Sequence, residues 1–209
     1  MPRVIVKCRY YSPKSRKDIG GMLTYIATRD GVEKPVGKTY LDYMATRPRA
    51  ERISGAHGLF SQAGREIDLT KSSKDVSAFN GNIFTVIISV SRDDAERLGF
   101  NNANRWRDMI RAKISDVAKA HDIPLEDLEW YGAFHNESHH PHVHLLLYSR
   151  NENYPGFIKR KNIDDLRRTF AKAIFADDLH NLYDEQTERR NTLSRESIDE
   201  FNELCVRIE

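Results

Sequence analysis

Two strand-like segments near the middle of the chain, joined by a short polar turn, place the strongest constraint on the fold. Residues 130–134 and 142–148 are rich in aromatic and aliphatic side chains, whereas residues 136–141 between them are polar and end in a proline. Segments of this kind that flank a turn of a few residues pair as a β-hairpin. The sequence therefore predicts an antiparallel hairpin.

This predicted hairpin is rich in histidine, because five of the eight histidines lie between residues 135 and 144. His142 and His144 are two positions apart on one strand, so both project from the same face of the sheet. His135 ends the preceding strand and arrives beside them once the turn folds back. Three neutral imidazoles can hold a divalent metal and leave coordination positions open. The pattern predicts a metal site made of these three residues.

Other apolar patterns predict further strands and helices. Residues 3–11 alternate between apolar and basic side chains, and residues 82–90 contain a β-branched run, so both are predicted strands. Apolar residues at helical spacing predict a short helix ending near residue 30 and a long helix from about Asn104 to His121. Two C-terminal helices are expected, from about Ile163 to Glu185 and from Ser194 to Val206.

The order of these elements indicates the fold class. Strands, a long helix and a hairpin imply an α+β fold with a central, largely antiparallel sheet and flanking helices, followed by C-terminal helices. We expect residues 1–150 to form the catalytic core and residues 151–209 to form a helical extension of the same domain.

Charge is distributed unevenly along the chain. The formal net charge is only +2, but residues 1–65 hold 13 Lys+Arg against 5 Asp+Glu, and the remaining residues hold 20 against 26. A basic N-terminal third is what a surface that binds a polyanion would have. This charge distribution fits either a nucleic-acid partner or a solvated basic surface.

Several sequence features argue against export or membrane insertion. No apolar run is long enough to cross a bilayer, and Arg3 and Lys7 interrupt the apolar residues at the N-terminus. The two cysteines, Cys8 and Cys205, suit a reducing compartment better than a disulfide framework. We therefore expect a cytoplasmic protein that does not enter a membrane.

Several motifs resemble those of conjugative relaxases. The spacing of His135 from the strand motif His142-Val-His144 resembles the HUH motif, which names a superfamily of endonucleases. Further blocks resemble mobilisation relaxases of the MobP type, and together they cover most of the chain. These blocks are residues 25–33, 43–48, 57–60 and 130–144.

The resemblance implies a site- and strand-specific, metal-dependent endonuclease and strand transferase acting on single-stranded DNA. Such an enzyme nicks an origin of transfer and keeps the 5′ end as a phosphotyrosyl adduct, which initiates mobilisation of a plasmid or integrative element. The resemblance also implies Mn²⁺ or Mg²⁺ as the cofactor. Its implied partners are origin DNA, relaxosome accessory proteins and the coupling protein of a secretion system.

The expected nucleophile also follows from the resemblance. In similar relaxases it lies in a short N-terminal helix with the pattern Leu-x-Tyr-Ile, which here places it at Tyr25. Tyr43 is the reserve nucleophile, because residues 43–51 repeat the pattern Tyr-x-Ala-Thr-Arg-x-x-x-Glu of residues 25–33.

Further candidate site residues are charged. Arg29 and Arg47 each follow one of these tyrosines by four residues, so a phosphate could meet both members of a pair. The cluster Lys159, Arg160 and Lys161 is a third candidate contact with DNA phosphates. Glu137, in the turn of the hairpin, either acts in catalysis by orienting an imidazole of the metal site or is a solvated carboxylate.

Two other functions remain open from the sequence. A rolling-circle replication initiator of the HUH type uses similar metal and tyrosine chemistry, although the repeated Tyr-x-Ala-Thr-Arg blocks favour mobilisation. A non-catalytic relaxase-like module that binds DNA or metal would keep the histidines without turnover. Formation of a covalent DNA adduct would separate these alternatives.

Overall fold

The computed structural model describes residues 4–13, 40–53, 57–153 and 156–208. The predicted short helix that ends near residue 30, with Tyr25 and Arg29, lies outside these residues. The strands are β1 (Ile5–Tyr11), β2 (Leu59–Phe60), β3 (Ile83–Ser89), β4 (Leu128–His135) and β5 (His142–Ser149). The helices are α1 (Tyr40–Thr46), α2 (Leu69–Ala78), α3 (Arg92–Arg97), α4 (Ala103–Ala120), α5 (Arg160–Ile174) and α6 (Ala176–Ile208).

The five strands form one sheet in the order β1-β3-β5-β4-β2, and every neighbouring pair is antiparallel. The predicted hairpin is present as β4 and β5, and it occupies the inner part of the sheet. The α+β fold with an antiparallel sheet, flanking helices and C-terminal helices is therefore confirmed. The predicted strands at the N-terminus and at residues 82–90 and the long helix α4 are also confirmed.

The sheet has two differently covered faces, because successive side chains of a strand point to opposite sides. On one face α4 packs against β4, with the ring of Trp106 stacked 5.9 Å from the ring of Phe134. The other face carries Tyr131, Ala133 and Leu146 and packs against α1 and α2. His144 shares a strand face with Leu146, so we call this second side the site face.

The boundary between the C-terminal helices differs from the expectation. The sequence patterns predicted a break between Glu185 and Ser194, but the structure interrupts the helix at Phe175 and continues α6 through that region. This prediction was wrong because residues 160–208 contain no glycine or proline that would end a helix. Ion pairs one turn apart, such as Glu185 with Arg189 at 3.8 Å, support the continuous helix.

The chain divides into two compact units, Met1–Ala171 and Lys172–Glu209. The strands and the residues around the histidines all belong to the first unit. The expectation that residues 151–209 extend the domain formed by residues 1–150 stays a prediction. Within the described ranges, every helix is too short or too polar to cross a membrane.

Candidate metal centre

The three predicted ligands come together where the hairpin turns. His135 is the last residue of β4 and pairs directly with His142, the first residue of β5. His144 lies two residues further along β5 and therefore points to the same face. The ring centroids are 4.6 Å apart for His135 and His144, 4.8 Å for His142 and His144, and 5.3 Å for His135 and His142. The antiparallel pairing thus places all three imidazoles on the site face.

One nitrogen of each ring is engaged by the protein. Nε2 of His135 donates to the carbonyl oxygen of Met44 at 3.0 Å, and Nδ1 of His142 donates to the carbonyl oxygen of His140 at 2.8 Å. Nδ1 of His144 lies 3.1 Å from the hydroxyl oxygen of Tyr40. A hydrogen-bond partner on the ring nitrogen that does not bind the metal fixes the tautomer and orientation of an imidazole ligand. The opposite nitrogen of His135 and of His142 is therefore left with a lone pair, because a carbonyl oxygen can only accept. His144 has the same arrangement in the tautomer whose Nδ1 donates to Tyr40.

These remaining nitrogens fit a divalent ion. Nδ1 of His135 is buried and has no hydrogen-bond partner within the described part of the chain. Nε2 of His142 and Nε2 of His144 are 3.0 Å apart. Two nitrogens bound to one ion at about 2.1 Å lie roughly 3 Å from each other. One nitrogen from each ring can be chosen so that all three lie within 4.8 Å of one another, so the set could hold a metal ion.

The protonation state of the centre suits this chemistry. Burial lowers the pKa of His135 to about 3, although the hydrogen bond to Met44 opposes that shift. Burial likewise lowers the pKa of His142 and places the pKa of His144 well below its ordinary value, with further lowering by the neighbouring rings and by Arg47. All three imidazoles are thus neutral at neutral pH, which is the form that binds metals.

Tyr43, the reserve nucleophile, lies beside the centre on α1. Its side chain is buried, and its ring meets the ring of His135 edge to face at 6.4 Å between centroids. Burial raises the pKa of the Tyr43 phenol, and the positive charge of Arg47 opposes this effect. The guanidinium carbon of Arg47 lies 5.5 Å from the centroid of the Tyr43 ring. The expected pairing of this tyrosine with this arginine is therefore present.

Glu137 pairs with arginines at the rim of the centre. One carboxylate oxygen lies 3.0 Å from Nη2 of Arg47, and the other lies 3.0 Å from Nη1 of Arg49. The outer imidazole nitrogens are instead held by Met44, His140 and Tyr40. The catalytic role expected of Glu137 stays a prediction.

The predicted basic cluster is placed differently. Lys159, Arg160 and Lys161 lie at the start of α5 and are exposed to solvent. Among the interactions of the described residues, none joins this cluster to the histidines. Its predicted contact with DNA therefore stays a prediction, as do the roles of Tyr25 and Arg29.

The structure also adds residues that the sequence patterns did not identify. Tyr40 precedes Tyr43 by three positions, so the two share a face of α1, and this spacing was the available signal. Arg92 donates through Nε to the carbonyl oxygen of Ser138 at 3.1 Å and through Nη2 to that of Glu137, and so holds the turn of the hairpin. No sequence signal marked Arg49 or Arg92.

The chain is similar to one known family of proteins. Residues 38–204, about four-fifths of the chain, match the MobL relaxases. The matched region includes the three histidines, Tyr40 and Tyr43, whereas Tyr25 precedes it. No curated protein and no solved structure matches the chain significantly.

The match confirms the resemblance to relaxases, which are DNA nicking and joining enzymes, while the MobP type and the HUH superfamily stay predictions. The chain belongs to the MobL relaxase family.

Proposed function

We propose that this relaxase is a metal-dependent, site- and strand-specific endonuclease and strand transferase for single-stranded DNA. It would nick an origin of transfer and so initiate mobilisation of a plasmid or integrative element. The observation that carries this proposal is the convergence of three neutral imidazoles, two buried and one partly buried, beside the tyrosines of α1 and the arginine that follows it. Each imidazole can offer one nitrogen to an ion. The family supplies the class of reaction.

A divalent ion, Mn²⁺ or Mg²⁺, would be held by His135, His142 and His144, and it would supply positive charge that makes a bound phosphate more electrophilic. Imidazole ligands favour Mn²⁺ over Mg²⁺. The protein contributes by keeping these rings neutral through burial and by fixing their orientation through Tyr40 and two backbone carbonyls.

Tyr25 is the proposed nucleophile, with Tyr43 in reserve. The tyrosine oxygen would attack the scissile phosphorus as it loses its proton, and the bond to the 3′ oxygen would break as that oxygen gains a proton. The 5′ phosphate would remain on the tyrosine, and a later attack by a 3′ hydroxyl would restore the strand. Burial of Tyr43 and the raised pKa of its phenol favour Tyr25 for this role.

Arg47 is the proposed contact for a phosphate near the reaction centre. Its positive charge lowers the pKa of all three histidines, so its guanidinium lies close enough to act on a phosphate bound beside them. A guanidinium can donate two parallel hydrogen bonds to phosphate oxygens. Lys159, Arg160 and Lys161 would extend the contacts along the DNA backbone, and accessory and coupling proteins of conjugation are proposed as further partners.

A covalent-adduct assay tests the proposal. The protein is incubated with Mn²⁺ and single-stranded oligonucleotides that tile the mobile element encoding it, and adducts are resolved on denaturing gels. We expect an adduct with the wild type that disappears with EDTA, with His144→Ala and with Tyr25→Phe, and persists with Tyr43→Phe. Peptide mapping of the adduct identifies the linked tyrosine.

Each other outcome has a defined meaning. If the wild type forms no adduct with any oligonucleotide, the enzymatic proposal is wrong, and DNA binding without an adduct would favour the non-catalytic module. Loss of the adduct only in Tyr43→Phe would assign the nucleophile to that residue. An adduct formed only with a replication origin would favour a rolling-circle initiator.

A further inference from the structure

Two arginines share one carboxylate at the rim of the metal centre. Arg47 and Arg49 each place a guanidinium nitrogen 3.0 Å from a different oxygen of Glu137. The exposed fractions of these side chains are 22% for Arg47, 52% for Arg49 and 25% for Glu137, so the group can be reached from solvent. One carboxylate with a single negative charge thus occupies a site made by two guanidinium groups.

The backbone holds both arginines in place. Arg47 follows α1, where its N–H donates to the carbonyl oxygen of Tyr43 at 3.1 Å, and its guanidinium lies over the ring of that tyrosine. Arg49 adopts a positive φ of 72°, and its carbonyl oxygen accepts from the N–H of Asn136 at 3.0 Å. The two guanidinium groups therefore extend from backbone that is fixed near the end of the hairpin.

Glu137 is held by a different set of contacts. Its N–H donates to the carbonyl oxygen of His135 at 3.0 Å, and its own carbonyl oxygen accepts from Arg92. These bonds fix the backbone of Glu137 through groups other than its carboxylate. The carboxylate can therefore leave the arginines by rotation of its side chain, without unfolding of the turn.

A phosphodiester resembles the carboxylate of Glu137 in its charge and in its hydrogen-bond acceptors. Both groups carry one negative charge over two oxygens, and both accept charge-assisted hydrogen bonds from guanidinium groups. We propose that Arg47 and Arg49 form a binding site for a backbone phosphate of the DNA strand, and that Glu137 occupies this site until DNA displaces it. The inference rests on the proposed function for the identity of the ligand.

Displacement has a consequence for the strength of binding. In the wild type, a phosphate that enters this site must first separate Glu137 from the two arginines, and the loss of these ion pairs offsets part of the affinity that the new contacts supply. The slope of log affinity against log salt depends on the number of phosphates neutralised, which is the same with and without the carboxylate. Removing the carboxylate should therefore tighten binding and leave its salt dependence close to that of a variant that loses an unrelated carboxylate.

The test measures binding without turnover. The full chain is titrated into a fluorescent single-stranded oligonucleotide of mixed sequence in EDTA, over a series of NaCl concentrations, and anisotropy is recorded. Glu137→Gln is compared with the wild type and with Asp108→Asn. The control removes the same charge from an exposed carboxylate that pairs with Arg107 at 2.8 Å on α4. Thermal unfolding verifies that each variant is folded.

We expect Glu137→Gln to bind several-fold more tightly than Asp108→Asn at low salt, with a similar slope, because both proteins neutralise the same number of phosphates. Arg49→Gln provides a second test, because it should weaken binding and remove the gain when combined with Glu137→Gln. If Glu137→Gln binds no more tightly than Asp108→Asn, or if the gain survives Arg49→Gln, the inference is wrong. Absence of single-strand binding in the wild type and every variant would instead contradict the proposed function.

Discussion

At the scale of single residues, the hydroxyl oxygen of Tyr40 lies 3.1 Å from Nδ1 of His144. When Nδ1 donates to this oxygen, Nε2 of the ring carries the lone pair that an ion can bind. Tyr40 is buried, so water cannot readily replace its hydroxyl as a partner. The ring of His144 is also buried and would otherwise keep an unsatisfied nitrogen. Tyr40 would therefore orient His144 of the candidate metal centre without itself binding an ion.

We expect Tyr40→Phe to weaken Mn²⁺ binding by about 10- to 100-fold, because partners of imidazole ligands typically contribute that much to metal affinity. The affinity is measured by titration with Mn²⁺ and detection of the free ion by electron paramagnetic resonance. Tyr43→Phe is the matched control, since Tyr43 lies on the same helix and contacts the ring of His135 by its edge. Equal affinities for the two variants would show that Tyr40 has no positioning role.

At the scale of elements, the edge strand β2 depends on a glycine in its neighbour β4. Phe60 pairs with Gly132, and its ring packs edge to face on Trp130 with 6.2 Å between centroids. A Cβ atom at position 132 would lie 2.5 Å from Cε2 of Phe60. The ring of Phe60 therefore lies over a strand position that has no room for a side chain.

We expect Gly132→Ala to lower the free energy of unfolding by about 1–3 kcal/mol, because the added methyl group displaces the Phe60 ring from its packing. Urea unfolding followed by circular dichroism measures this loss. The shorter side chain of Phe60→Leu should recover part of the stability in the Gly132→Ala background, although it is destabilising alone. Additive effects of the two substitutions would contradict this account.

The success of the sequence patterns also varied with the element. The strands at residues 82–90 and 142–148 and the helix α4 were predicted because their apolar periodicity is long and regular. No pattern predicted α1, β2 or α2, which are short and lie in a stretch rich in Gly, Pro, Lys and Ser. Such elements form through tertiary packing against the sheet, which local propensity does not describe.

The residues of the candidate site also divide into those that sequence patterns predicted and those that they did not. The three histidines were predicted because all of them belong to one hairpin, where strand geometry alone decides which side chains meet. Tyr40 and Arg49 were not predicted. Tyr40 is 104 residues from its partner His144 in the sequence, and Arg49 is 88 residues from its partner Glu137. Contacts of that range depend on the packing of α1 against the site face, which periodicity does not determine.

At the scale of the whole molecule, a second buried histidine environment links stability to pH. His121 is fully buried at the end of α4, where its Nδ1 donates to the carbonyl oxygen of Val117 at 2.8 Å. Its ring meets the ring of Phe84 edge to face at 5.0 Å. Burial lowers the pKa of His121 from 6.5 to about 4, so the folded protein keeps this imidazole neutral in weak acid.

We expect the free energy of unfolding to fall as the pH decreases from 6.5 to about 4. In this window the unfolded chain binds a proton at His121 and the folded chain does not, which favours unfolding by about 2–3 kcal/mol at the acidic end. Urea unfolding is measured in EDTA at pH 7, 5.5 and 4.5, which lie above and within this range of pH. The free energy of unfolding should fall less for His121→Leu than for the wild type. The metal-centre histidines contribute equally to both proteins, so a fall of the same size would contradict the assignment to His121.

The direct pairing of His135 with His142 has a consequence for folding in the cell. If β5 slipped by one residue along its neighbours, His142 and His144 would move to the opposite face of the sheet and the ligand set would be lost. An ion that binds only the correctly aligned hairpin stabilises that alignment over its slipped competitors. If the proposed ion binds a newly made chain, it would therefore favour the correct strand alignment over the slipped one.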